Sequence, residues 1–149
     1  MSNRRIVESY ASAMAQDDFD AQDAFIHDDY ELLYPQSGER FRGKTNRRAI
    51  LENYPAREAT STRPSVGRIV GMDDQWLNRP SWPGSSLVHL IGSGDEFQVV
   101  GTVRYSDGLD WYFVSFITLR EGKIWRETDY FAPPFEAASW RAQYVERGD

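Results

Sequence analysis

The stretch KIWRETDYF, residues 123–131, constrains this chain more than any other. The turn pair Glu121-Gly122 precedes it and Ala132-Pro133-Pro134 follows, so it reads as one strand with marked ends. Side chains along a strand alternate between faces. Ile124, Arg126, Thr128 and Tyr130 therefore point one way, and Trp125, Glu127, Asp129 and Phe131 the other. The second set places two carboxylates between large aromatics. Their Cα atoms lie about 6.7 Å apart along a strand. With Phe, Tyr and Trp around them and no evident cation, burial and like-charge repulsion raise the pKa of at least one.

The neighbouring strands set the expected sides. Leu109 to Arg120 is rich in aromatic and β-branched residues. A two-residue turn at Glu121-Gly122 sets Phe116 opposite Glu127 and Val114 opposite Asp129. Glu96 to Ser106 reads as a further strand, joined through Asp107-Gly108, with Val103 opposite Tyr112 and Arg104 opposite Trp111. One face then collects Phe97, Val99, Gly101, Val103, Tyr105, Tyr112, Val114, Phe116, Trp125, Glu127, Asp129 and Phe131. This more apolar face is expected inside. The other carries Gln98, Val100, Thr102, Arg104, Trp111, Phe113, Ser115, Ile117, Ile124, Arg126, Thr128 and Tyr130. A slip of one residue in either hairpin reverses the sides of its neighbour.

At 149 residues a single domain spanning 1–149 is the simplest expectation. Five Trp, eight Tyr and eight Phe suffice to line a pocket as well as fill a core. A net charge of -6 without a dense Lys/Arg run argues against nucleic acid or an anionic membrane as partner. There is no cysteine, hence no disulfide or thiolate chemistry, and His27 and His89 stand too far apart in sequence to suggest a metal site. Neither a signal peptide nor a membrane-spanning run is evident, so the expectation is a cytoplasmic protein.

In chain order, Asn3 to Gln16 is predicted helical, with Ile6, Tyr10, Ala13 and Met14 on one stripe and Ser2 or Asn3 as cap. Asp17-Asp18 breaks it, and Phe19 to His27 forms a second helix with Ala21, Ala24 and Phe25 inward. Tyr30 to Tyr34 is a strand, stopped by Pro35 and Ser37-Gly38. Thr45 to Tyr54 is a third helix, capped by Thr45, with Ala49, Ile50 and Asn53 buried and Pro55 at its end. Val66 to Val70 and Leu87 to Ile91 are strands, and Asp73 to Gly84 is an irregular loop. A short Phe135 to Trp140 segment closes the chain. Helices followed by antiparallel strands make an α+β pattern.

The order of elements and three strings resemble the SnoaL-like bacterial members of the nuclear transport factor 2-like superfamily. The strings are HDDYELLYPQSGERFRG (27–43), KTNRRAILENYP (44–55) and GKIWRETDYFAPPFEAASWRAQYVE (122–146). The resemblance implies a curved, mainly antiparallel sheet wrapped around three helices as a cone with one pocket. It also implies a homodimer through the outer sheet face, here Arg104, Trp111, Phe113, Arg126 and Tyr130. Such proteins include ketosteroid isomerases, polyketide cyclases, dehydratases and limonene-epoxide hydrolases, and fold alone does not choose among them. The epoxide hydrolases end on a strand similar to Asp129-Tyr130-Phe131, with a catalytic aspartate. They also need an Arg-x-Asp on an adjacent strand, and Arg104-Tyr105-Ser106 lacks that second acid.

The residues thus point to a pocket for a small apolar organic molecule, without cofactor or metal. As an enzyme, the chain would run acid/base chemistry of isomerase, cyclase or dehydratase type, with Asp129 as base and Glu127 its partner. Tyr10, Met14, Tyr30, Tyr34, Phe97, Tyr105, Tyr112, Val114, Phe116 and Trp125 would line the pocket, tyrosine hydroxyls polarising the substrate. Structural roles compete with each assignment: one acid can bond Tyr30, Tyr34 or a helix-end amide and close the cone. His27 beside Asp28 reads as a capping pair rather than a dyad, and His89 as a solvent-side strand residue. A non-catalytic binding or dimerisation module is the alternative from another class, and an epoxide hydrolase the third reading.

Overall fold

A stripe of Ile6, Val7, Tyr10 and Ala13 runs down the first helix, α1 (Asn3–Ala15), and is its buried side in the computed structural model. The structure describes residues 1–53, 69–70, 88–104 and 109–146. The Ser2 hydroxyl caps α1 by accepting the Arg5 N–H at 3.3 Å. Asp17 turns the chain at φ 53°. Asp18 then caps α2 (Phe19–Phe25), its carboxylate accepting the Ala21 N–H at 3.0 Å. The second helix is shorter than expected: Ile26 and His27 already belong to strand β1 (Ile26–Tyr34). Its buried residue is Gln22, while Ala24 is exposed.

Strand β2 (Glu39–Arg42), unforeseen in the sequence, pairs with β1 through the turn at Gly38. Helix α3 (Gly43–Glu52) begins two residues before the expected Thr45 cap, and no side chain caps it. Ile50 packs against the core and Asn53 is exposed, but the buried residue of α3 is Arg47. Beyond these lie β3 (Ile69–Val70), β4 (Val88–Ser93), β5 (Glu96–Arg104), β6 (Asp110–Arg120), β7 (Lys123–Ala132) and a short 3-10 helix (Ser139–Tyr144). The expected loop Asp73 to Gly84, the rest of the Val66 to Val70 strand, Tyr105, Ser106 and the Asp107-Gly108 turn lie outside the described residues.

The strands join in the order β2-β1-β7-β6-β5-β4-β3 as one curved sheet. It is mixed: β1 runs parallel to β7 and β3 to β4, and the other pairs are antiparallel. Helix α1 lies against β4, β5 and β7, α3 lies against β1 and β2, and α2 touches both helices. The core between helices and sheet holds Ile6, Val7 and Tyr10 with Ile26, Tyr30, Leu32, Leu90, Phe97, Val99, Ile117, Leu119 and Ile124. No helix among the described residues is long and apolar enough to cross a membrane.

Both expected hairpin registers are off by one. Between β5 and β6, Val103 faces Trp111 and Thr102 faces Tyr112. Between β6 and β7 the two-residue turn pairs Arg120 with Lys123 and Leu119 with Ile124, as a tight hairpin requires. The register then shifts, and Thr118 meets Arg126, Ile117 meets Glu127, and Ser115 meets Asp129. The extra residue is Trp125, a β-bulge that turns two successive side chains away from the core. Its ring lies between the Arg120 and Arg126 guanidinium groups, 4.6 and 4.0 Å from its centroid.

The two slips cancel across the three strands. β5 and the Glu127–Phe131 part of β7 keep their expected faces, while β6 is reversed. Ile117 and Ser115 are buried and Phe113 packs on the core. Tyr112 and Phe116 stand on the outer face, 41% and 45% exposed, and Val114 alternates with the inward Phe113 and Ser115. The expectation that Tyr112, Val114, Phe116 and Trp125 face the interior is thereby corrected. So is the outward placement of Phe113, Ser115, Ile117 and Ile124, the last of which is fully buried.

The β4–β5 turn depends on Gly92. Its φ is +127°, and an added Cβ would sit 2.3 Å from the Glu96 carbonyl oxygen and 2.7 Å from Phe97 Cα. Gly92→Ala is expected to lower stability by about 1–3 kcal/mol, read from the urea midpoint, because the clash is with backbone beside a core phenylalanine. An unchanged midpoint would show that the turn relaxes freely.

Candidate acid/base site

Glu127 stands at the centre of the inner face, 5% exposed. Its Oε2 accepts two phenol hydroxyls, from Tyr10 at 2.8 Å and Tyr30 at 2.6 Å. Burial first, and the Glu127 charge second, push both phenols well above their ordinary pKa, so they remain donors. The elements explain the meeting. α1 presents Tyr10 inward from its apolar stripe, β1 presents Tyr30, and its parallel neighbour β7, past the bulge at Trp125, presents Glu127.

A cation completes this group, contrary to the sequence expectation. Arg47 Nη2 donates to the Tyr10 hydroxyl oxygen at 2.9 Å, to Gln22 Oε1 at 3.0 Å and to Met14 Sδ at 2.9 Å. Its guanidinium carbon sits 5.2 Å from the Tyr10 ring centroid and 5.8 Å from that of Tyr30. Burial disfavours its charge, but Tyr10 and Glu127 outweigh that and raise its pKa above the usual guanidinium value. Gln22 is anchored in turn by donating to the Ala13 carbonyl at 3.1 Å. Arg47 precedes Ile50 by one helical turn, so it shares the inward stripe of α3. That spacing was the available signal, and a charged residue on a short helix reads as surface by default.

Asp129 has a different environment. It is 8% exposed, and its Oδ1 is buried without a hydrogen-bond partner among the described residues. Burial first, and Glu127 second, push its carboxyl well above the usual carboxylate range. Ser115 on the facing strand and Arg47 pull it the other way without cancelling that shift. The pair therefore divides into a carboxyl whose Oε2 is tied by two phenols and one whose Oδ1 has no partner among the described residues.

Of the other expected pocket residues, Met14 touches Arg47 and Phe97 is buried in the core. Tyr34 packs edge-on against Phe41 and Phe131, with centroids 5.1 and 5.5 Å apart. His27 is a strand residue and not a helix cap. Its Nδ1 accepts the Asp29 N–H at 3.0 Å, and Arg120 and Glu121 approach its ring from the β6–β7 turn. His89 pairs with Val100 on the face opposite Leu90 and Val99, and is half-buried. Among the described residues no group of three or more His, Asp or Glu is placed to hold a metal ion.

A curved mixed sheet closed by three helices, with buried acids on its inner face, defines an α+β cone protein of the nuclear transport factor 2-like type. The SnoaL-like domain family matches residues 7–127, and the chain belongs to it. Among solved structures, an NTF2-like protein from Burkholderia xenovorans is 30% identical, covering 99% of this chain and 95% of its own, with a TM-score of 0.71. A candidate ketosteroid isomerase from Kribbella flavida is 19% identical over 99% of this chain and 90% of its own, with a TM-score of 0.73. TerC, co-crystallised with polyporic acid, is 20% identical over 87% and 91%, with a TM-score of 0.59. The last two likenesses show the fold alone. No curated protein matches the chain.

Proposed function

We propose that the protein binds a small apolar carbonyl or hydroxy-carbonyl compound and moves a proton on it without a cofactor. Asp129 is the exchanging group. The observation that carries this is the buried Asp129 Oδ1, which has no partner among the described residues, while Glu127 Oε2 accepts from both Tyr10 and Tyr30. Because burial favours its neutral form, Asp129 acts first as an acid. It gives its proton to the carbonyl oxygen, or to a hydroxyl that leaves as water. The carboxylate so formed then takes the proton from the adjacent carbon, restoring the acid. Tyr10 and Tyr30 direct their hydroxyls at Glu127, so they shape the site and Asp129 alone exchanges protons. The fold neighbours include a candidate ketosteroid isomerase and a protein crystallised with polyporic acid, which supports a small organic ligand.

The test is solvent-deuterium exchange into 2-tetralone, an apolar ketone with acidic α-hydrogens, followed by proton NMR. Enzyme-dependent exchange is expected, and binding without exchange would instead establish a ligand-binding module.

A second copy of the chain is proposed to cover the outer sheet face. Tyr112, Phe116 and Tyr130 are each more than two-fifths exposed there, and the Phe116 and Tyr130 rings stack edge-on at 6.3 Å. Of the residues first expected at such an interface, Arg126 and Tyr130 lie on the outer sheet face, Phe113 and with it Trp111 turn to the opposite face, and the Arg104 side chain lies outside the described set. Phe116→Glu is expected to convert a dimer to a monomer in sedimentation equilibrium. A wild-type monomer would remove the proposal.

A further inference from the structure

The two members of the acid pair have unlike surroundings: Glu127 Oε2 accepts from Tyr10 and Tyr30, and Asp129 Oδ1 has no partner among the described residues. We propose that Arg47 is a positioning residue that, through the Tyr10 hydroxyl, holds the negative charge of the pair on Glu127 and leaves Asp129 as the member that exchanges a proton. This deepens the acid/base reading and rests on it for the use made of that proton.

The charges around the pair can be accounted for one by one. Asp23 lies 3.9 Å from Arg47 Nη1, but its other oxygen is 3.0 Å from Arg48 Nη1. Arg48 also reaches Asp20 at 2.7 Å and Glu52 at 2.6 Å, so the outer acids of α2 and α3 have their own cation. That leaves Arg47, 2% exposed, to answer a charge inside. Its route inward is the Tyr10 oxygen, which accepts from Arg47 and donates to Glu127. Linked hydrogen bonds polarise one another in a medium of low dielectric. Tyr30 adds a second donor to the same Glu127 oxygen at 2.6 Å. Asp129 is offered Ser115, from the facing strand β6, and a hydrogen bond with Glu127 itself, but no phenol. A charge on Asp129 would stand beside a like charge and without the two phenol donors that Glu127 holds.

The relay is separable from turnover because the two carboxyl carbons report protonation directly. Carbon NMR of side-chain carboxyls is followed against pH in the wild type, Arg47→Gln, Arg47→Lys and Tyr10→Phe, with circular dichroism to confirm folding. In the wild type, the carboxyl step above the ordinary acid range is expected on the Asp129 carbon alone. In Arg47→Gln the same step divides between the Asp129 and Glu127 carbons. Arg47→Lys, which restores the cation, returns it to Asp129. A wild-type step shared by both carbons overturns the proposal. So does a folded Arg47→Gln that titrates as the wild type does. Should Arg47→Gln fail to fold, Tyr10→Phe decides: it removes the relay hydroxyl while keeping the cation, and an undivided step on Asp129 overturns the relay. Failure of 2-tetralone exchange with the expected carbon pattern would sink the enzyme reading and leave this charge assignment standing.

Discussion

Asp129→Asn is expected to reduce 2-tetralone exchange by about 100- to 10,000-fold, the usual weight of a positioned acid or base, while making the protein more stable at neutral pH. The two effects have one cause. In the unfolded chain Asp129 ionises near pH 3.8, and in the fold burial and Glu127 hold its proton to much higher pH. Between those values the folded state binds a proton that the unfolded state has released. Stability therefore falls as pH rises through this window, at about 1.4 kcal/mol per pH unit while the difference is one full proton. Asparagine is neutral at every pH and has nearly the same shape, so it removes this slope. Urea midpoints of the two proteins should converge at acid pH and separate as pH rises, with the mutant higher. Parallel curves would mean that Asp129 ionises in the fold as freely as in water. The mutant should still bind the ketone, which separates loss of proton transfer from loss of binding.

Glu127→Ala carries the largest expected loss of stability, about 3–5 kcal/mol, the range found when one partner of a buried charge pair is removed. The substitution strands the Arg47 cation and leaves the Tyr10 and Tyr30 hydroxyls without their acceptor. Against a typical total of about 5–15 kcal/mol, such a loss leaves a marginal fold. Glu127→Gln keeps an acceptor oxygen but gives up the charge, and its cost should be smaller, about 1–3 kcal/mol. Adding Arg47→Met to Glu127→Ala should recover part of the loss, since the unanswered charge goes with it. The comparison is made by urea unfolding at neutral pH. A Glu127→Ala protein as stable as the wild type would show that the phenols and Arg47 find other partners.

These predictions rest on residues that sequence reading located unevenly. Glu127 and Asp129 could be placed on one face because strand alternation is a local rule, and their strand has marked ends. Tyr10 could be placed inward because α1 has a regular apolar stripe and a serine cap. Arg47 was passed over, although it is the buried cation that reaches the acid pair through Tyr10. Its partner Tyr10 is 37 positions away, and Tyr10 meets Glu127 across 117. No local pattern encodes such a meeting.

The chain by itself determined the α+β class, the three helices to within a few residues, the β7 strand and the inward side of its acids. Periodicity, caps and turn residues act within a few positions, so they can be read in one dimension. Only the tertiary structure decided the sides of β6, the outward turn of Trp125, and the cation beneath the acids. A bulge adds one residue to a ladder at small backbone cost, yet it reverses every side chain of the partner strand beyond it. A buried charge is tolerated only where distant segments supply its partners, and those segments meet only when the chain has folded.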